Sequence, residues 1–188
     1  MTLTEEMLAA ARGCVALLIG QRDAPRYFNF SYAGLAGSAI AVLVAVAIKA
    51  YLPVLAGGNS PAIAPAWQNF SIVTFLLVLQ LAITWWYLRQ IGRLDGFIPY
   101  VVASNWTALF FTFISIAIAL LGVGDVAALL LVGIALLVLE INIARLIVTL
   151  TGWQIVIFMV VQAVGGFVGL MLIGLLIQSP DAATGLNS

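Results

Sequence analysis

Long apolar runs alternate with short polar breaks along this chain, and the runs have the length of membrane crossings. Five of them are long enough to span a hydrocarbon core of about 30 Å as helices: Ala33 to Leu52, Asn69 to Leu88, Phe97 to Leu121, Val126 to Thr151 and Trp153 to Ile177. The first 20 residues have a different pattern. Leu3, Met7, Leu8, Ala11, Cys14, Val15 and Leu18 recur at helical spacing and predict one apolar face of an amphipathic helix that Gly20 ends. Thr2 and Glu5 fit a capping box at its start, and Glu5 and Glu6 fall in the first turn, where the helix dipole favours acids. This helix is read either as an arm that touches a partner or as a helix lying along the headgroups or over the bundle floor. The fold class is therefore all-α: a polytopic bundle of five transmembrane helices with an N-terminal interfacial amphipathic helix. Three regions follow: a cytoplasmic arm over residues 1–31, a membrane domain over 32–178 and an external tail over 179–188.

The breaks between runs are informative. Arg22, Asp23 and Arg26 mark water, Pro25 breaks the first helix, and Tyr27, Phe28, Phe30 and Tyr32 suit an aromatic belt. Pro53 is expected to stop span one, opening an uncharged Pro/Gly loop over residues 53–67. Span two ends in Trp85, Trp86, Tyr87 and Arg89, an aromatic-then-basic anchor. Thr151-Gly152 is a very short link, so spans four and five are expected to be antiparallel neighbours. Small residues at Ala33, Gly37, Ala41 and Ala45 form one ridge on span one, and Gly165 and Gly169 form a GxxxG on span five. Both permit close helix packing, which lipid tails do not otherwise drive. Packing within the chain is the expected use of the glycine pair. With the N-terminus in the cytoplasm, Arg12, Arg22, Arg26, Arg89, Arg93 and Arg145 gather on that side and only Lys49 lies near the other. The positive-inside rule thus predicts that the N-terminus is cytoplasmic and the C-terminus lies on the far side of the membrane.

Composition narrows the chemistry. The chain is 64% hydrophobic and 7% charged, with mean hydropathy +1.21, against about 25% charged for soluble domains. Net charge is zero and no basic tract exists, which argues against nucleic acid as a partner. There is no histidine and one cysteine, Cys14. That removes the commonest metal ligand, the usual general base and any intrachain disulfide. Cys14 itself reads as a small hydrophobe or as a free thiol. The first residues are acidic and the apolar run from Cys14 to Ile19 is short for a signal core, so no cleaved leader is expected. Neither a catalytic set nor a cofactor motif is present, and no enzyme activity or cofactor is expected.

The candidate chemistry sits on span four. Glu140 lies near its middle, with Asn142 and Arg145 beyond. At a rise of about 1.5 Å per residue, Gln80, Asn105, Glu140 and Gln162 all fall roughly 12–15 Å from the cytoplasmic ends of their spans. Four spans thus bring a polar residue to one layer, and a hydrogen-bonded core around Glu140 is expected. Ser104, Asn105, Trp106 and Thr107 make the most polar patch in any span. Arg145, five residues on and about 140° round the helix, is a poor direct partner for Glu140. Glu140 either titrates or binds a substrate or ion, or it is a structural knot that holds the bundle.

Five closely spaced spans, an amphipathic N-terminal arm, a short external tail and the segment ALLIGQRDAPRYFNFS leading directly into span one resemble the Yip (Ypt-interacting protein) family in its bacterial form. The resemblance covers residues of about 14–178 by layout. It implies a membrane-embedded interaction or permease-like protein and assigns no functional residue. Two roles follow: a non-enzymatic scaffold or accessory subunit of a membrane complex, with a membrane-protein partner or a second copy, or a small transporter or channel component that uses Glu140.

Overall fold

The structure is a computed structural model that describes residues 3–57, 65–121 and 126–178. Among these, all regular elements are helical: α1 (Leu3–Leu18), α2 (Tyr32–Gly57), α3 (Ala66–Gln90), α4 (Phe97–Leu120), α5 (Val126–Asn142) and α6 (Gly152–Gln178). Short 3-10 turns cover Ala24–Tyr27 and Leu94–Gly96, and a π-helical segment, Ile143–Ile147, extends α5. Five helical stretches are long and apolar enough to cross a membrane, one each from α2 to α6, so the chain is a multi-pass membrane protein. The Thr2 cap, the rest of the Pro/Gly loop, residues 122–125 and the tail lie outside the described residues.

The central helix is α4. Its face of Tyr100, Val102, Ala103, Trp106 and Leu109 is buried, and α2 packs closely along it. Pro99 falls in the first turn of α4, where a missing N–H costs no helical bond. On α2, Gly37, Ala41 and Ala45 are buried as the ridge predicts, joined by Ser38, Val42, Val46 and Ala50. Ala33 is not part of the buried ridge; it is exposed, whereas the next residue, Gly34, is buried against Asn29. Pro53 does not stop this helix, which continues to Gly57. A proline removes one backbone bond, and a helix near a membrane boundary absorbs that loss through water and local adjustment.

Helix α1 docks on the bundle, and of its apolar stripe only Cys14 is buried there. Glu6, Ala10, Gly13, Cys14, Ala16 and Leu17 are buried, whereas Leu3, Met7, Leu8, Val15 and Leu18 are exposed. Small residues bring α1 against the bundle: Phe28 closes so tightly over Gly13 that an added Cβ would lie 2.6 Å from its ring. The apolar stripe faces away from the protein, as for a helix that rests in the lipid interface. Gly20, at φ 71°, terminates α1 in a Schellman arrangement, with Gln21 N–H bonded to Ala16 O at 2.8 Å and Gly20 N–H to Leu17 O at 3.0 Å. Of the aromatic belt, Tyr32 is exposed but Phe28 is buried and stacks on Phe30 at 6.2 Å. Trp85 and Trp86 are exposed, with the Arg89 guanidinium 5.1 Å from the Trp85 ring centre, while Tyr87 turns inward.

Helices α5 and α6 are not packed neighbours. Helix α6 packs along α3, where Gly165 receives Ile83 and Gly169 receives Leu79 and Leu76. The glycine pair thus works within the chain. The link between α5 and α6 redirects the path rather than pairing the helices. Thr149 adopts φ 59°, a strained conformation for a β-branched residue. Arg93 holds it, donating to Val148 O at 2.6 Å, Thr149 Oγ1 at 2.6 Å and Thr149 O at 3.2 Å. Thr151 and Gln154 then form a reciprocal capping box that starts α6.

Candidate functional site: a polar network across α4, α5 and α6

A phenol links the acid to the other spans. Tyr100, on the buried face of α4, donates its hydroxyl proton to Glu140 Oε1 at 2.5 Å. Gln162 of α6 donates from Nε2 to Tyr100 Oη at 3.3 Å and to Thr84 Oγ1 of α3 at 2.8 Å. Thr84 in turn donates to the Gln80 carbonyl at 2.9 Å. The network therefore runs from α5 through α4 and α6 to α3. Phe158 packs edge-on against Tyr100 at 5.5 Å and fixes the ring beneath it. Tyr87 packs on the same Phe158 ring and donates to Gln154 O at 2.7 Å.

The predicted layer is partly assembled. Glu140 and Gln162 are brought together, through Tyr100. Asn105 is buried in a separate pair, donating to Ser38 Oγ at 3.2 Å across the α2–α4 contact. Gln80 is not in the network by its side chain, which is exposed and walls a cavity instead. A common depth does not ensure a common side of the bundle, and these residues point in different directions round it. Asn142 is buried and ties α5 to α1, donating to Leu17 O at 2.7 Å, where it satisfies a carbonyl at the end of α1. Arg145 is exposed. The one salt bridge found among the described residues is Arg93–Asp95 at 3.4 Å, so Glu140 is held by a hydroxyl rather than a cation.

Tyr100 is not among the polar residues picked out from the sequence. It lies one turn and a half before Asn105 on the same helix, which was the available signal. Glu6 escaped as well. Its side chain is pressed against Gly37, where an added Cβ would lie 2.8 Å from Glu6 Oε2, and its Oε1 is buried without a hydrogen-bond partner. Burial pushes its carboxyl above the usual range. Cys14 is buried 3.6 Å from Thr107 Oγ1, and burial raises its thiol to about 11, so it behaves as a small hydrophobe. No cluster of metal-ligating side chains occurs among the described residues.

Fold and network together define a polytopic integral membrane protein with a hydrogen-bonded core between its helices. Compared with protein-family models, curated proteins and solved structures, the chain matches none of them.

Proposed function

We propose that this protein is a non-enzymatic scaffold or accessory subunit of a membrane complex, with its N-terminus in the cytoplasm of a bacterium and its membrane domain in the inner membrane. The observation that carries the reading is the bare face along the first half of α5, before Glu140 and the Asn142 tie to α1. Val126, Leu130, Leu131, Ile134, Leu136 and Leu137 are all exposed, and nothing lies within 4 Å of a Cβ added at Gly133. Helices in lipid associate by packing rather than by escape from water, and a glycine on a bare helix admits close approach of another helix. The second copy or partner helix fits against α5. Its resemblance to the Yip family agrees with an interaction role. Arginines 22, 26, 89, 93 and 145 all lie in or beside the segments that join helices at one end of the bundle, which supports the orientation. Native-mass analysis of the gently extracted protein tests the role. A defined complex that a bulky Gly133→Trp substitution dissolves is the expected result; a strictly monomeric, partner-free species refutes it.

A second reading, a small transporter or channel component, is favoured by one feature. The bonds from Glu140 through Tyr100 to Gln162 lead to a cavity that Gln162 and Gln80 wall. Under that reading Glu140→Gln abolishes movement of the substrate while the protein stays folded. Full function in that variant excludes it.

A further inference from the structure

Helix α1 bridges α4 and α5 on the side where they part. Its Cys14 Sγ lies 3.6 Å from Thr107 Oγ1 of α4, and its last turn is tied to α5, where Asn142 donates to Leu17 O at 2.7 Å. Beyond these contacts Phe113 and Ile114 on α4 and Leu136 and Leu137 on α5 are exposed. The gap beside α1 is an apolar cavity of about 260 Å³, walled by Val15 and Leu18 of α1, Phe110, Phe113 and Ile114 of α4, and Leu139 of α5. The three α4 residues follow Thr107 along a membrane-crossing helix, so the cavity extends from α1 into the hydrocarbon.

The other side of the same crossing is charged. Gly20 ends α1 against α5, where an added Cβ would lie 3.8 Å from Asn142 Nδ2. Leu139, the α5 wall of the cavity, is three residues before Asn142, and Arg145 is three residues after it, each about 4.5 Å along the helix. Arg22 is two residues past Gly20, at most about 7 Å of backbone away. Arg26 joins them, because the 3-10 turn Ala24–Tyr27 packs on the π-helical segment that carries Arg145. All three arginines are exposed, and none has an ion-pair or hydrogen-bond partner among the described residues. Asp23 is the one acid in residues 19–31 and 143–151. The sequence has no basic tract; the fold assembles this cluster from two distant segments.

We propose that an anionic phospholipid of the leaflet at this end of the bundle binds here, its phosphate held by Arg22, Arg26 and Arg145 and one acyl chain running past Leu18 into the cavity beside α1. Charge and cavity select it together. An acidic peptide meets the arginines and leaves the hydrocarbon-lined space unfilled. A zwitterionic lipid fills the space but brings a cation of its own to the cluster, so a headgroup of net negative charge is preferred. This inference does not rest on the scaffold reading: the lipid is held by α1, α4 and the end of α5, and Gly133 is not part of the cavity wall.

The test is native mass spectrometry of the full chain in detergent with equimolar palmitoyl-oleoyl phosphatidylglycerol and palmitoyl-oleoyl phosphatidylcholine. A basic residue at an anionic membrane surface contributes a factor of about five, so the wild type is expected to retain phosphatidylglycerol at least about tenfold over phosphatidylcholine. Replacing both arginines, Arg22→Gln with Arg145→Gln, brings the ratio within about twofold of parity. Val15→Trp and, from the opposite wall, Ile114→Trp fill the cavity at exposed positions that the fold does not depend on, and each lowers retained phosphatidylglycerol severalfold. Arg89→Gln, at the same end of the bundle but on α3, leaves the preference intact. Equal retention of the two lipids by the wild type overturns the proposal, as does an undiminished preference in the arginine double variant. Unchanged retention in both tryptophan variants also overturns it, as the result for an acidic partner or a free phosphate held by charge alone. A loss in Arg89→Gln equal to that of the double variant overturns it as well, because diffuse attraction then accounts for the preference.

Discussion

Replacing Tyr100 by phenylalanine removes one oxygen and two hydrogen bonds that join three helices. The bond to Glu140 is short, 2.5 Å, and the bond from Gln162 is long, 3.3 Å. Interhelical hydrogen bonds in membranes average about 0.6 kcal/mol and reach about 1.7 kcal/mol. The short bond to a carboxyl oxygen belongs near the upper figure and the long amide bond near the lower one. The ring itself, 1% exposed and braced by Phe158, stays in place, so no cavity cost is added. Tyr100→Phe should therefore destabilise the bundle by roughly 2 kcal/mol, a factor of about 30 in the folding equilibrium. The partition can be checked by a double-mutant cycle. In a Glu140→Leu background the short bond is already absent, and Tyr100→Phe should cost only about 0.6 kcal/mol. Unfolding in mixed micelles by titrated sodium dodecyl sulfate, followed by far-UV circular dichroism, reads both numbers. If Tyr100→Phe costs less than about 0.5 kcal/mol, or the same in both backgrounds, the phenol is not the junction described here.

Three further outcomes follow from the packing. Adding a methyl at Gly165 drives it into the end of the Ile83 side chain, so Gly165→Ala should lose about 1–3 kcal/mol in the same micelle assay, and Ile83→Val, which deletes the obstructing Cδ1, should recover part of that loss. Arg93→Ala frees Val148 O and Thr149 O and releases the left-handed Thr149; a loss of about 1–3 kcal/mol is expected, with Arg93→Lys only partly restoring it because one ammonium cannot span both residues. Glu6 gives a pH dependence. Its folded carboxyl titrates above its ordinary value, so docking of α1 is strongest in acid and weakens as pH rises from the usual carboxylate range through the raised value. Maleimide labelling of Cys14, slow because the thiol is buried and raised to about 11, reports that docking: labelling should accelerate across this window by more than thiol ionisation explains, and Glu6→Gln should flatten the excess.

The crossings were legible because hydrocarbon thickness sets a length that composition alone can meet. The five runs, the end of α1 at Gly20 and the internal use of Gly165 and Gly169 all follow from local rules about apolar length, left-handed glycines and small-residue contact. What local rules do not contain is direction. The apolar stripe of α1 was expected to form one face, turned to a partner, to the headgroups or to the bundle floor, and periodicity alone does not choose among these; the face buried on the bundle is the one that lets backbones approach: Ala10, Gly13 and Cys14. The short link before α6 was expected to pair it with α5. Link length limits where a helix starts, whereas its course follows the surface it fits, and α3 offers Ile83 and Leu79 to the two glycines. Thr151 and Gln154 did carry a readable signal, a capping box that separates α6 from the π-helical end of α5.

The polar site shows the same limit more sharply. Depth along each helix was computable from sequence and placed four polar residues in one layer. Azimuth was not, and it sends Asn105 to Ser38, turns Gln80 onto a cavity wall and leaves Glu140 and Gln162 to be joined by a residue of another class. An acid in a span needs a donor, and with no histidine in the chain and no cation beside Glu140 among the described residues, the donor had to be an amide or a hydroxyl. Tyrosine carries a neutral donor at the end of a long rigid side chain, and Tyr100 uses it to reach from α4 to α5. Tyr100 accordingly spends its proton on Glu140, which obliges Gln162 to present its amide nitrogen and to turn its carbonyl away. The orphaned oxygen on α6 is thus a consequence of stabilising the acid on α5, and the two features stand or fall with the direction of a single phenolic hydrogen bond.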